Sequence, residues 1–385
     1  MLEGVNVALG VSGSIAAVKT VELAHELRRQ GAAVRAVMTD SAQGIIHPWA
    51  LEFATENSIV TEITGSVEHV ELCGYDGWAD VLLLAPSTAN TLGKIAGAVD
   101  DTPVTTCATT ALGAGMPVVV APAMHAPMYD HPGVIDAIET LESWDVSFVD
   151  PRLAEGKAKI ATEEAIVLDT ARAAGDSVLD GQHVVVTSGA TSEAIDPVRV
   201  ISNRASGRTG RAVAKACYAR GADVTLVHDG PDVPYADVER VESAEEMLDA
   251  VRAATDDADA LVSAAAIGDY TVDAAPEKIR SGQSLTLELE PTPKLIDTVR
   301  AEHPALPIVG FKVETSGDDD AMIEKARETL DRADLSFVVA NDASVMGAET
   351  SRVLLVRAET VTEHEGSKAE IGGYVTDALA SELTD

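Results

Sequence analysis

Aromatic side chains are scarce in this 385-residue chain, where Phe, Trp and Tyr together make up 3%. Apolar residues in the broad sense still reach 46%, so disorder is excluded as the main state and the cores must be built from Val, Ala, Leu and Ile. Cysteine is also rare. Cys73, Cys107 and Cys217 are scattered and form no CxxC pair, which points to a reducing cytoplasm, and no Cys/His spacing suggests zinc. No apolar run approaches the ~20 residues of a bilayer span, and the N-terminus lacks the basic-then-apolar order of a secretory signal. Two further absences argue against P-loop ATPases and ordinary NAD dehydrogenases: there is no GxxxxGK(S/T) loop and no GxGxxG fingerprint.

Positive charge is the last shortage. Sixty-three acids face 28 bases, a net charge of −35, which repels nucleic acid and anionic membranes at long range. Ten lysines stand against eighteen arginines, and the acids are spread along the chain rather than gathered in a tail. That pattern reads as adaptation to concentrated salt, where a short Debye length screens self-repulsion.

The length is comfortable for two units, each with its own core. VNVALG (5–10) is a short apolar strand followed by a Gly/Ser turn. Apolar positions at helical spacing then predict a helix over Ile15–Gln30, stopped by Gly31, before a strand at Ala33–Met38. This βαβ opening favours a right-handed crossover and a parallel sheet, with more buried strands at Val81–Ala85, Pro117–Ala121 and Val146–Val149. The pattern then restarts. HVVVT (183–187) is a strand, Gly207–Arg220 a helix and Asp223–Val227 a strand, so that RRQGAAVRAVMT and YARGADVTLVH occupy matching places. Strands follow at Ala260–Ser263, Ile308–Phe311, Phe337–Ala340 and Val353–Arg357, with a helix at Asp318–Asp334. The polar stretch Ala174–Gln182 marks the boundary, giving two α/β domains of nucleotide-binding type over 1–177 and 178–385.

Ligands of a parallel α/β sheet collect at the carboxyl ends of its strands, where helix N-termini point N–H groups outward. Ser12-Gly13-Ser14 lies at such a place, as does Pro86-Ser87-Thr88-Ala89-Asn90, and Thr39 after the second strand offers another hydroxyl. His69 in VEHVEL and His125 in APAMHAPM are the titratable residues near these tips, and two histidines in one pocket could shuttle protons near neutral pH. Together GVSGSIAA, HVEL, WADVLLLAPSTANTLGKIAGAVDD and APAMHAPM resemble the homo-oligomeric flavin-containing cysteine decarboxylases. That resemblance implies a flavodoxin-like domain. It implies that Ser12, Gly13, Ser14, Thr39, Ser87, Thr88 and Asn90 hold FMN and that His69 is essential. In this family flavin oxidises a C-terminal cysteine thiol, CO2 leaves, and hydride returns to the enethiol. Two departures stand out: His125 replaces the family's asparagine after APAM, and Pro151–Ile160 has no cysteine where bacterial relatives carry one on a flap, although Lys157 or Lys159 could close over an anionic substrate.

In the second half, SGATSEAIDPVRVISNRASGRTGR (188–211) places an Arg/Asn/Ser/Gly cluster at the start of a helix, the chemistry of a polyanion cradle. Small residues at Ser263, Ala264 and Ala265 would let a flat ring or sugar approach, and Asp269 would accept from a hydroxyl or amine. Lys278, Lys294, Lys312 and Lys325 stand out in so lysine-poor a chain and would offset a triphosphate. ISNRASGRTG, SAAAIGDY, EKIR, PTPKLI, VGFKVET and VANDAS, in this order, closely resemble phosphopantothenate–cysteine ligase.

With the first half, this similarity covers essentially the whole chain and implies the bifunctional ligase–decarboxylase family of coenzyme A synthesis. The carboxylate of 4′-phosphopantothenate would attack the α-phosphorus of CTP, with Mg2+ bridging phosphates, and the cysteine amine would then displace CMP. By the same resemblance Asn203 handles the acyl-cytidylate and Lys278 stabilises charge in the activation step. Asp269 with Ser263–Ala265 reads the cytosine, and Pro293, Lys294, Leu295, Ile296, Phe311 and Lys325 complete the nucleotide pocket. Thr329 stands where the bacterial pattern has a second lysine. The family implies a homo-oligomer, with trimeric contacts in the flavin half and dimeric ones in the ligase half. A flavin-binding regulatory protein and a flavin prenyltransferase remain the alternatives for the first half.

Overall fold

The computed structural model describes residues 1–154, 157–282, 284–314, 318–342 and 350–384. They form two compact units, Met1–Asp176 and Ser177–Asp385. Strands of the first unit are β1 (Asn6–Val11), β2 (Ala33–Met38), β3 (Val81–Ser87), β4 (Val118–Pro122), β5 (Met124–His125), β6 (Ser147–Phe148), β7 (Arg152–Ala154) and β8 (Lys157–Lys159). Five of them make a parallel sheet in the order β2-β1-β3-β4-β6. β3 and β4 are buried along their whole length, as expected where helices cover both faces of a parallel sheet. This is the flavodoxin-like order, whose switch point lies between β1 and β3. The Ser12–Ser14 and Thr88–Asn90 segments leave those two strands at the same end.

The predicted helix over Ile15–Gln30 is two pieces. Ile15–Lys19 is a 3-10 turn capped by Ser14, and the α-helix proper runs Thr20–Arg29. Ile15 and Val18 are exposed, and the buried stripe of Leu23, Ala24 and Leu27 belongs to the second piece alone. The small antiparallel sheet β5-β8-β7 was not foreseen. Its strands are two or three residues long, too short for alternation to register.

The second unit has β9 (His183–Thr187), β10 (Ser192–Asp196), β11 (Arg199–Ser202), β12 (Asp223–His228), β13 (Asp237–Arg240), β14 (Ala260–Ser263), β15 (Tyr270–Thr271), β16 (Glu290–Pro291), β17 (Ile308–Glu314), β18 (Phe337–Asp342), β19 (Thr350–Val356) and β20 (Val361–Ser367). Eight of these form one sheet, β13-β12-β9-β14-β17-β18-β19-β20, antiparallel only at β18-β19-β20. Its six parallel strands, counted in chain order, run 3-2-1-4-5-6, the Rossmann order with its switch point between β9 and β14. Both units are therefore α/β with parallel sheets.

The cores meet the aromatic shortage with aliphatics. Val185, Leu261, Ile308 and Val338 centre one cluster, and Ala8, Leu82, Val104 and Val120 the other. Each fully buried Val, Leu or Ile contributes about 1.5–3 kcal/mol. Tyr235 and Phe337 are the aromatics among the largest fully buried side chains, while Trp49, Phe53 and Tyr75 are exposed.

Candidate functional site

In the first unit Ser12 is buried at the tip of β1, and its Oγ donates to the Pro86 carbonyl at 2.6 Å. Gly13 sits so tightly on Ser41 that a Cβ there would come within 2.4 Å of the Ser41 Cβ. Ser14 Oγ accepts from Ala16 N at 3.3 Å and donates to the Ala123 carbonyl at 3.1 Å. Both serine protons are thus committed within the fold, and so are the Ser12 and Ser14 N–H groups, which donate to Pro86 O at 3.2 Å and Ser12 O at 2.8 Å; of the turn's backbone donors, that leaves the Gly13 N–H to meet an anion. Thr39 caps the helix Asp40–Gln43 and donates its N–H to Val11 O at 3.1 Å, which ties the tip of β2 to that of β1. Thr88 caps the helix Ala89–Ala96, and Asn90 is exposed on its first turn.

Two atoms among the described residues of this unit are anomalous. Ser87, 0% exposed at the tip of β3, has an Oγ with no hydrogen-bond partner, and His69 Nδ1 is buried and equally unpartnered. A buried polar group left unpaired costs about 1–3 kcal/mol, so each calls for a ligand or a proton-handling role. His69 lies on the short helix Glu68–Cys73, whose N-cap Val67 has φ 50. For a β-branched residue that is a strained conformation of the kind that clusters at functional sites. Among the described residues no hydrogen bond or ring contact joins His69 to His125. His125 is exposed on β5 and pairs with Lys157 of β8, in the hairpin expected to cover a substrate; the Lys157 side chain lies outside the described residues. The three cysteines are buried. The Cys73 thiol and burial push Cys107 up, and burial pushes Cys217 up to about 11, so neither is a thiolate near neutral pH. An unpartnered hydroxyl, a turn only glycine can make and helix starts at one switch point suit the phosphate and ring edge of a flavin.

The second unit carries a cleft of about 640 Å3. Asn203, Ser263, Ala264, Ala265, Asp269, Pro293, Lys294, Leu295, Ile296 and Phe311 all line it. Thr187 at the end of β9 accepts from the Ala264 and Ala265 N–H groups, each at 3.1 Å, which fixes the turn after β14. Asn203 Nδ2 donates to Ala266 O at 3.0 Å, and Lys294 Nζ reaches Asp269 Oδ1 at 2.6 Å. Gly207 (φ +69) and Gly210 bring the helix Arg208–Ala219 against β9. At Gly210 a Cβ would lie 2.9 Å from Thr187 O.

Lys278 and Lys325 do not line this cleft. Lys278 is exposed on a loop tied to the hairpin β10–β11, where Asp196 Oδ2 accepts from Ile279 N at 3.0 Å. Lys325 is exposed on the helix Asp319–Ala333, one turn before Thr329, which does line the cleft. Sequence reading missed Lys368 as a cleft residue, and it held Arg208 only as part of the Arg/Asn/Ser/Gly cluster at a helix start. Among the described residues the lining inverts the balance of the whole chain: six bases (Arg204, Arg208, Lys294, Lys312, Arg332, Lys368) against two acids (Asp269, Asp297). Each acid is already paired, with Lys294 and Arg332 respectively. Such a surplus in a chain of net charge −35 is what a polyanion site requires. No group of three or more His, Cys, Asp or Glu suited to a metal ion occurs among the described residues, and no described helix is long and apolar enough to cross a membrane.

Comparison with known proteins covers both units. The flavoprotein family model matches residues 1–174, and that of the DNA/pantothenate metabolism flavoprotein C-terminal domain matches residues 179–383. A coenzyme A biosynthesis bifunctional protein CoaBC from Thermococcus kodakarensis is 49% identical over 362 residues, spanning 92% of this chain and 89% of the relative. The protein of that name from Methanocaldococcus jannaschii is 34% identical over 385 residues, spanning 98% and 94%. A crystal structure of the C-terminal domain of a coenzyme A biosynthesis bifunctional protein CoaBC aligns at a TM-score of 0.47 and 28% identity, over 55% of this chain and 100% of that one. The chain, with a flavoprotein half followed by a pantothenate-metabolism half, belongs to the coenzyme A biosynthesis bifunctional protein family.

Proposed function

We propose that the chain is a bifunctional enzyme that ligates cysteine to 4′-phosphopantothenate with CTP and then decarboxylates the product to 4′-phosphopantetheine. The observation that carries this is the basic cleft at the β9/β14 switch point, with Asn203 bonded to Ala266 at its wall. Asn203 then handles the acyl-cytidylate. Ser263, Ala264, Ala265 and Asp269 read the pyrimidine, and Pro293, Leu295, Ile296 and Phe311 supply apolar walls, with Lys294 beside them. Mg2+ would enter with the nucleotide phosphates rather than on a dedicated protein site. Lys278 and Lys325 serve the same nucleotide only through loop movement or in the cleft of a neighbouring copy, which agrees with a homo-oligomer.

In the first unit the turn Ser12–Ser14, Thr39, Ser87, Thr88 and Asn90 hold FMN. When bound, FMN supplies the oxidation of the substrate thiol and the return of hydride. His69, with its Nδ1 unpartnered in the interior, moves the proton. His125 meets the substrate carboxylate, beside the hairpin that closes over it. Ile15, Val18, Trp49 and Phe53 are 78%, 56%, 74% and 76% exposed, and exposed large apolar side chains support self-association of this half. The buried thiols agree with a cytoplasmic setting.

A coupled assay tests this reading: pyrophosphate release with each NTP, then CO2 release from 4′-phosphopantothenoylcysteine. CTP-dependent pyrophosphate followed by CO2 is the expected result. Pyrophosphate without CO2 would leave a regulatory or prenyl-transferring flavin half. Asn203→Asp should still release pyrophosphate but accumulate the acyl-cytidylate, and normal turnover would overturn its role.

A further inference from the structure

Lys368 lies more than 150 residues beyond Asn203 in the chain, yet both line the same cleft. It is the first residue of the helix Lys368–Thr384, and close helix packing carries it there. Gly372 lies against the backbone of the helix Arg208–Ala219, where a Cβ would meet Ala212 O at 2.5 Å. Further along, Cys217 Sγ is 3.5 Å from Thr376 Oγ1, and Arg220 Nε donates to Asp377 Oδ1 at 2.6 Å. The two helices therefore run side by side in the same direction, and both begin at the cleft.

Each places a cation at its first position, Arg208 on one and Lys368 on the other. Cations at that end of a helix are disfavoured by its dipole, and these two line the same cleft. Lys368 is half-buried, and its Nζ donates to the buried Ser351 Oγ on β19. Burial, then the repulsion of Arg208, holds its ammonium below the ordinary lysine value. Glu370, the nearest acid in sequence, is turned back to the Ser367 N–H at 2.7 Å and does not line the cleft. Two cations thus line one cleft, and among the described residues no lining acid is left to neutralise them.

We propose that Lys368 and Arg208 form a phosphate clamp, binding a phosphoryl group of one ligase substrate. This rests on the ligase reading above. The bound group is either the monoester phosphate of 4′-phosphopantothenate or the triphosphate of CTP. A doubly charged phosphoryl oxygen set removes the repulsion between the two side chains and accepts from both. The Ser351 contact keeps the lysine aimed while the cleft is empty.

Calorimetric titration of Lys368→Met, Lys368→Arg and Arg208→Gln with CTP, CMP, 4′-phosphopantothenate and pantothenate tests the clamp. Loss of one charge-assisted contact predicts binding of one phosphorylated ligand weakened about tenfold or more. Its counterpart lacking those phosphates should bind unchanged, and Lys368→Arg should recover most of the loss. A change confined to 4′-phosphopantothenate assigns the monoester, and one confined to CTP the triphosphate. Should Lys368→Met and Arg208→Gln, both folded by thermal melting, bind all four ligands within twofold of wild type, the clamp is overturned. Equal losses with and without phosphate overturn it as well. If Lys368→Met does not fold, Arg208→Gln, altered at an exposed side chain, decides alone. A wild-type enzyme that binds none of them contradicts the ligase reading instead.

Discussion

Ser87 Oγ occupies an interior position with nothing to bond, while the neighbouring Ser12 and Ser14 hydroxyls spend their protons on the carbonyls of Pro86 and Ala123. Ser87→Ala therefore separates stability from binding. Without flavin the variant should be as stable as wild type or more so, by up to about 1–3 kcal/mol, because an unpaired polar atom has been removed. Flavin retention should fall, read as a higher dissociation constant from fluorescence recovery on reconstitution. A variant that melts earlier and keeps flavin normally would make Ser87 a packing residue. The sequence showed the hydroxyl and its place at a strand tip. It could not show that this hydroxyl, unlike its neighbours, lacks a partner, because that depends on where Pro86 and Ala123 lie in space.

The apolar elements were the legible ones. β2, β9 and β14 span the residues their apolar runs indicated, since a fully buried parallel strand leaves a continuous mark. The hairpin β10–β11 left none, because SEAID and RVIS are polar and partly exposed. Its consequence is substantial. Thr271 Oγ1 donates to Glu193 Oε2 at 2.9 Å, Ala275 N to Ile195 O at 2.9 Å and Ile279 N to Asp196 Oδ2 at 3.0 Å, so β10 stitches down the loop that carries Lys278. Arg199 beside it, then the Ile279, Val198 and Arg199 N–H groups, hold the buried Asp196 carboxyl well below the usual carboxylate range. A depressed folded-state pKa stabilises above the unfolded value near 3.8 and is lost as pH falls through the folded value. Asp196→Asn should thus lower the melting temperature at pH 7 and raise hydrogen exchange across 271–279. The gap to wild type should narrow on acidification below about pH 4. A pH-independent gap would show that the carboxylate charge is not what holds the loop.

At the scale of the whole molecule, charge decides behaviour more than any pair does. Exposed ion pairs such as Arg240–Asp232 and Arg252–Glu302 contribute about 0–1 kcal/mol each, far too little to offset a net charge of −35. Raising ionic strength from 0.1 to 1 M shortens the Debye length from about 10 to about 3 Å. Thermal stability should therefore climb toward molar KCl, and a flat or falling melting temperature would refute salt adaptation. Contact-distance interactions in the cleft would survive that screening, whereas long-range steering of anionic substrates would not.

The helix pair joined at Gly372 also bears on how the second unit is made. Asn203, the turn after β14 and Phe311 are synthesised first, but the wall bearing Lys368 comes from chain added after β20. On the ribosome, the flavin half can close its sheet while the ligase half still lacks one side of its cleft. Phosphoryl binding by the proposed clamp would thereby be deferred until translation has passed the last strand.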